Sequence, residues 1–327
     1  MSDVLTYSEA IRDALAEEMR RDERVFLMGE DIALYGGAFR VTRGLLDEFG
    51  PARVRNTPIS EGGIVGAGIG AALVGCRPVV EIMFMDFITL AVDQLVNHAA
   101  KYRFMYSEQA RVPLVVRTPA GGHRGYGPTH SQCLERLFFC MPGIKIAAPA
   151  TPADAKGLLK AAIRDDNPVL FVENKTLYAV RGDVPSGEEA LVPLGKAAIA
   201  RRGEHVTVVT YSEMVVQALK AADALEAEGI RVEVIDLRTL VPMDMETVLE
   251  SVERTGRAVV AEEGHLTGGI GAEVACRIVE KLFYQLEAPV RRVAGMDVPV
   301  PVSQPLERAA LPSATHIAQA VREVVGC

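Results

Sequence analysis

No uninterrupted apolar run in the sequence approaches the roughly 20 residues that a membrane-spanning helix needs, so a helical membrane protein is excluded. A basic surplus is missing as well. Against 43 Asp and Glu stand 35 Lys and Arg, a net charge of −8, which leaves nothing to neutralise nucleic-acid phosphates or an anionic membrane. The basic pairs Arg20-Arg21 and Arg201-Arg202 read as solvated faces. The five cysteines (Cys76, Cys133, Cys140, Cys276, Cys327) are odd in number and hold no CxxC pair. That argues against a disulfide framework or a zinc site and for a reducing compartment, the cytoplasm. The N-terminal stretch patterns as an amphipathic charged helix, not as a charged-then-apolar signal. P-loop, HExxH and GxSxG motifs are absent, and the six histidines are scattered without metal-ligand spacing. Also absent is a glycine turn of the GDG-then-Asn kind, which would hold a metal ion and a diphosphate together.

What is present describes a globular protein with large buried surfaces: 49% hydrophobic and 24% charged residues, and a mean hydropathy of +0.16. A length of 327 residues suggests two domains. A helix is expected from about Tyr7 to Arg21 with Ser8 as its cap, then a short strand in "VFLMGED". "CRPVVEIMF" reads as a strand and "DFITLAVDQLVNHAAKYRFMY" as a single helix of period 3.6. Strands in "VPLVVRTPAGG", "IKIAAPA" and "VLFVENK" follow, with a capped helix in "TPADAKGLLKAAIRDDNP". The polar segment Arg181–Gly195, "RGDVPSGEEALVPLG", holds two prolines and no periodicity. It sets the expected boundary between domains 1–185 and 186–327. Its Arg-Gly-Asp triplet is set aside as an adhesion motif in a chain of this character. Beyond it strands and helices alternate again, so both halves read as α/β, doubly wound around mostly parallel sheets. Ligands of such sheets sit beyond the carboxyl ends of the strands.

The stretch "NTPISEGGIVGAGIGAALVG" places one carboxylate, Glu61, at the mouth of an apolar, glycine-studded run. Gly66, Gly68 and Ala71 satisfy G-x-G-x-x-A, with Glu81 following at a strand end. A dinucleotide fingerprint needs an apolar strand feeding directly into the glycine turn, whereas the preceding residues here are polar. Small residues at this spacing fit close approach of another helix better. Glu61 itself is either a helix cap or a carboxylate that grips something other than its own backbone. Two constellations stand out: Glu61 with Met83 and Phe87 of "EIMFMDF", and the loop "GGHRGYGPTHSQC", where His123, Arg124 and His130 sit among glycines.

"TPISEGG", "GPTHSQC", "AIRDDNP", "DLRTLVPMDMET" and "EEGHLTGGIGAE" occur in this order with fitting spacing. Together they resemble the β subunit of the thiamin-diphosphate-dependent first component of 2-oxo acid dehydrogenase complexes, the pyruvate, branched-chain and acetoin enzymes. The resemblance implies a transketolase-like pyrimidine-binding domain and a transketolase C-terminal domain. It also implies a tetramer of two α and two β chains, and an acyltransferase core docked through the C-terminal domain. In that family the α chain holds Mg²⁺ and the diphosphate, which gives the absent diphosphate motif a reading. By its match to "PISE", Glu61 would bind the aminopyrimidine ring. Phe87 would be its stacking floor, with Met83 beside it or simply in the core. His130 would assist acyl transfer to a lipoyl arm. "AIRDDNP" matches a structural potassium loop, with Leu114, Ala162, Ile163, Asp165 and Asn167 as ligands, or else is an ion-free helix end. The chain departs from the pattern at Leu137, where tryptophan is usual, and at Cys140, where a second histidine is usual. A two-chain transketolase-like carboligase and a non-catalytic docking subunit are the rival readings.

Overall fold

The computed structural model describes residues 2–185 and 190–326. Cys327 and the stretch 186–189, on which the second expected domain opens, lie outside the described residues. The chain divides into two compact units, residues up to 120 with 137–194, and residues 121–136 with 195 onward. The segment 121–136, which carries His130, therefore belongs by its contacts to the second unit.

The first unit begins with β1 (Ser2–Thr6) and α1 (Tyr7–Arg21). The α1 cap is Thr6, not Ser8. Thr6 Oγ1 accepts from the Glu9 amide at 3.2 Å, and Glu9 accepts from the Thr6 amide at 2.8 Å, a reciprocal capping box. Tyr7, Ala10, Ile11, Ala14, Leu15 and Met19 form its buried stripe. Then follow β2 (Val25–Gly29), α2 (Leu45–Phe49), β3 (Val54–Asn56), α3 (Glu61–Leu73) and β4 (Arg77–Glu81). The run expected as one helix is three pieces: a 3₁₀ helix (Met85–Ala91), a π-helix (Gln94–Ala99) and α4 (Ala100–Met105). Its buried residues explain the break. Met85, Ile88 and Ala91 recur every third residue, the repeat of a 3₁₀ helix, whereas Leu95 and Ala99 follow at intervals of four. An average near 3.6 concealed the change.

The remaining elements of this unit are β5 (Val115–Ala120), α5 (Arg136–Phe139), β6 (Lys145–Ala147), α6 (Pro152–Arg164), β7 (Val169–Asn174) and β8 (Arg181–Pro185). Six strands run parallel in the order β6-β7-β5-β4-β2-β3. Every residue of β4, β5 and β7 is buried, as expected of a parallel sheet covered on both faces. The stretch Arg181–Pro185, expected as irregular linker, is instead a strand pairing antiparallel with β1.

The second unit holds β9 (Ala198–Arg201), β10 (Val206–Thr210), α7 (Glu213–Glu226), β11 (Val232–Asp236), β12 (Thr239–Val241), α8 (Met245–Thr255), β13 (Ala258–His265), α9 (Ile270–Leu282), β14 (Arg291–Gly295), α10 (Gln304–Ala310) and α11 (Ala314–Val325). Its sheet has the order β14-β13-β10-β11-β9, parallel except for β9. The helices α7 and α11 pack as one pair and α8 and α9 as another. No helix among the described residues is long and apolar enough to cross a membrane.

Candidate functional site

Glu61 is the first residue of α3, preceded by Ser60, whose side chain makes no capping bond. The glycines after it serve packing. A Cβ on Gly62 would lie 3.0 Å from the Leu90 carbonyl, and one on Gly68 would lie 3.0 Å from Val80 and 3.1 Å from Leu114. The bare face of α3 thus lets the strands and the 3₁₀ helix close on it, a role for the G-x-G-x-x-A pattern that needs no dinucleotide. Glu81 is equally committed. Its Oε2 accepts from Arg117 Nη1 at 2.8 Å in a buried network, where Arg117 also grips Glu173 at 2.7 and 3.0 Å.

As a residue Glu61 is 5% exposed; its carboxylate makes no hydrogen bond or ion pair among the described residues and is not among the fully buried polar groups, so its oxygens stay open to the surface. It is not a helix cap. An open carboxylate on a mostly buried residue is placed to accept from a donor that enters there. A second acid, Glu30, stands at the carboxyl end of β2 and is also buried. Burial holds its carboxyl above the usual range, and the negative charges of Glu61 and Asp31 add to the effect. Phe87, on the 3₁₀ helix that packs against α3, is half-buried and meets Phe84 edge to face at 6.1 Å. Phe84 in turn meets Phe39, and Lys175 lies 5.3 Å above its ring. Met83 is half-buried on the same connection. Glu61, Met83 and Phe87 are thus carried by adjoining elements at the carboxyl end of β4. A donor-bearing flat heterocycle suits this surround: the carboxylate wants an N–H, and the neighbouring groups are aromatic or thioether.

His130 lies in the second unit, half-buried, its Nδ1 3.0 Å from the Thr129 hydroxyl and its amide donating to the Gly127 carbonyl at 3.3 Å. Leu137 and Cys140 are exposed, with the Cys140 thiol 3.8 Å from the Leu137 carbonyl.

The five residues matched to a potassium loop lie at the end of α6 and the start of β5. Arg77 donates to the carbonyls of Ile163 (2.7 Å) and Asp165 (2.6 Å), and Lys145 meets the Asp165 carboxylate at 2.5 Å. The Ala162 carbonyl accepts from the Asp165 amide, that of Leu114 from Val169, and the Asn167 side-chain oxygen from Arg103. These oxygens suit a hard cation in kind, and each carbonyl keeps a second lone pair, but Arg77 and Lys145 already bring positive charge to the loop. Among the described residues no group of three or more His, Cys, Asp or Glu could hold a metal ion.

Comparison with known proteins identifies the family. The family model for the transketolase pyrimidine-binding domain matches residues 3–181, and that for the transketolase C-terminal domain matches residues 195–317. The chain is 49% identical over 320 residues to the pyruvate dehydrogenase E1 component subunit beta of Rhizobium meliloti, covering 98% of this chain and 70% of that one. It is 47% identical to the same subunit of Rickettsia bellii, covering 98% of each chain. It is also 47% identical to the mitochondrial subunit beta-1 of Arabidopsis thaliana, covering 97% of this chain and 88% of that one. Among solved structures, a split-gene transketolase described as an inactive beta4 tetramer superposes with a TM-score of 0.80 at 25% identity, covering 98% of this chain and 99% of that one. The chain belongs to the transketolase-like, thiamin-diphosphate-dependent proteins, and within them to the β subunits of the first component of 2-oxo acid dehydrogenase complexes.

Sequence reasoning passed over Glu30, Glu135, Glu263 and Glu307. The first was readable in principle, since "VFLMGED" puts an acid at the carboxyl end of an apolar strand, where sites of this sheet type gather. Glu307 carries no such signal, because its burial on α10 arises only from tertiary packing.

Proposed function

We propose that the chain is the pyrimidine-binding half of a catalytic site completed by an α subunit, in which a 2-oxo acid is decarboxylated and its acyl group passed to lipoamide. Pyruvate is the favoured substrate, because the relatives at 47–49% identity are pyruvate dehydrogenase subunits. Acetoin or a branched-chain 2-oxo acid would occupy the same machinery. The observation that supports the reading is Glu61: a residue 5% exposed whose open carboxylate accepts no hydrogen bond among the described residues.

When bound, thiamin diphosphate supplies a carbon nucleophile and the electron sink that decarboxylation requires. Glu61 would accept a hydrogen bond from a ring N–H of the bound coenzyme and so keep that proton on the ring nitrogen. Low local dielectric strengthens this charge-assisted contact. Phe87, with Met83 beside it, gives the ring an apolar floor and excludes water. His130 donates a proton or hydrogen bond during acyl transfer. The α subunit holds Mg²⁺ and the diphosphate in a two-α, two-β assembly, and the C-terminal unit docks the acyltransferase core. The "AIRDDNP" loop holds a potassium ion through Leu114, Ala162, Ile163, Asp165 and Asn167. The free thiols of Cys76, Cys133, Cys140 and Cys276 support a cytoplasmic location.

The test is co-expression with an α-type chain and assay of pyruvate, branched-chain 2-oxo acids and acetoin, with a dye and with lipoyl acceptors. The split-gene transketolase neighbour favours a second reading, a carboligase divided over two chains. Product formation from sugar phosphates without a lipoyl acceptor would select it.

A further inference from the structure

The loop that carries His130 has its own fastening within the second unit. Gly122 donates its amide to Glu263 Oε1 at 2.6 Å, and Gly125 donates to both oxygens of Glu307, at 3.2 and 3.1 Å. Glu263 is 7% exposed on β13 and Glu307 is 1% exposed on α10. Two carboxylates on separate elements thus grip the loop backbone three residues apart. The glycines are what allow the grip. A Cβ on Gly122 would fall 2.5 Å from Leu311 Cδ1, and one on Gly127 would fall 2.7 Å from Val302 Cγ2. Gly125 and Gly127 adopt φ of +68° and +77°, a region that glycine enters at no steric cost. Gly127 is also the residue whose carbonyl receives the His130 amide. The fastening therefore runs from two buried acids, through Gly122 and Gly125, to the turn that presents the histidine.

We propose that Glu263 and Glu307 are positioning residues for His130: they fix the backbone of the 121–130 loop, and the placement of the acyl-transfer histidine depends on them. Neither acid needs to touch substrate for this. Their amide bonds are charge-assisted and buried, so each is among the stronger ways to hold a glycine-rich segment in one conformation. The inference rests on the role given to His130 above.

The experiment uses the co-expressed αβ complex with Glu263→Gln, Glu307→Gln, Gly122→Ala and His130→Ala. Three quantities are read: amide hydrogen exchange in peptides covering 121–130, dye-coupled 2-oxo acid turnover, and acyl transfer to a lipoyl domain. Each Gln variant is expected to exchange faster in that peptide by about tenfold or more. Acyl transfer is expected to fall by about tenfold while dye-coupled turnover stays within about twofold. Gly122→Ala keeps both acids but pushes the loop off Leu311, and should give the same split even if a Gln variant folds poorly. A parallel fall of both activities, in step with the melting temperature, would reduce these acids to fold stabilisers and overturn the proposal. Unchanged exchange with His130→Ala defective in transfer would overturn the fastening alone. Acyl transfer surviving His130→Ala would overturn the reading of the histidine, and this role with it.

Discussion

Replacing Glu135 by Gln should stabilise the protein in mild base and have little effect in acid. Glu135 is 3% exposed, accepts from the Tyr211 hydroxyl at 2.9 Å through Oε1, and buries its other oxygen without a partner. Burial pushes its carboxyl up to about 7 from an ordinary 4.5. The nearby negative charges of Glu262 and Glu263 add to this, and the Tyr211 bond offsets part of it. Because the folded value is the higher one, both states are protonated below about pH 4.5 and no difference arises. Between about 4.5 and 7 the unfolded chain loses its proton while the folded chain keeps it, so stability falls as pH rises. Above 7 the cost is complete, and about 2.5 pH units at 1.36 kcal/mol each gives about 3 kcal/mol as an upper value. Glutamine keeps the shape, accepts from Tyr211 and never ionises. Urea unfolding of variant and parent should therefore differ by under about 1 kcal/mol at pH 5 and by up to about 3 kcal/mol in the variant's favour at pH 8. Equal differences at the two pH values, or a variant less stable at pH 8, would refute the reasoning.

Arg117→Met should destabilise by about 3–5 kcal/mol, because Glu81 and Glu173 would stay buried without their cation; a chemical-denaturation midpoint within error of the parent would contradict this. Gly68→Val should lose a comparable share of stability as its branches drive α3 away from Val80 and Leu114, and an unaltered melting curve would show that the helix face is not close-packed. Potassium in place of tetramethylammonium at constant ionic strength should raise the melting temperature, by an amount that follows the ratio of ion concentration to its dissociation constant. No difference between the two salts would remove the ion from the "AIRDDNP" loop.

Much of the fold could be read because the strands of both sheets are buried apolar runs punctuated by capped helices. β5, β7, β10 and α6, with Thr151 as cap and Pro152 after it, fall where the pattern puts them. The failures have physical causes. The helix after β4 changes pitch midway, which an average period hides. The polar strand β8 is held by its pairing with β1, and pairing between distant segments leaves no local mark. At the candidate site, Glu61 was conspicuous because a lone charge opens an apolar run. Glu263 and Glu307 were not, since what matters in them is the backbone they hold across 141 and 182 residues of sequence.

The central claim is that the Glu61 carboxylate acts on a bound ring and does not hold up its own helix. Turnover of the assembled αβ complex carrying Glu61→Ala, measured beside its unfolding midpoint, tests this directly. The account predicts a rate loss of about 10²–10⁴ with stability changed by less than about 1 kcal/mol; full turnover, with or without a loss of stability, would contradict it.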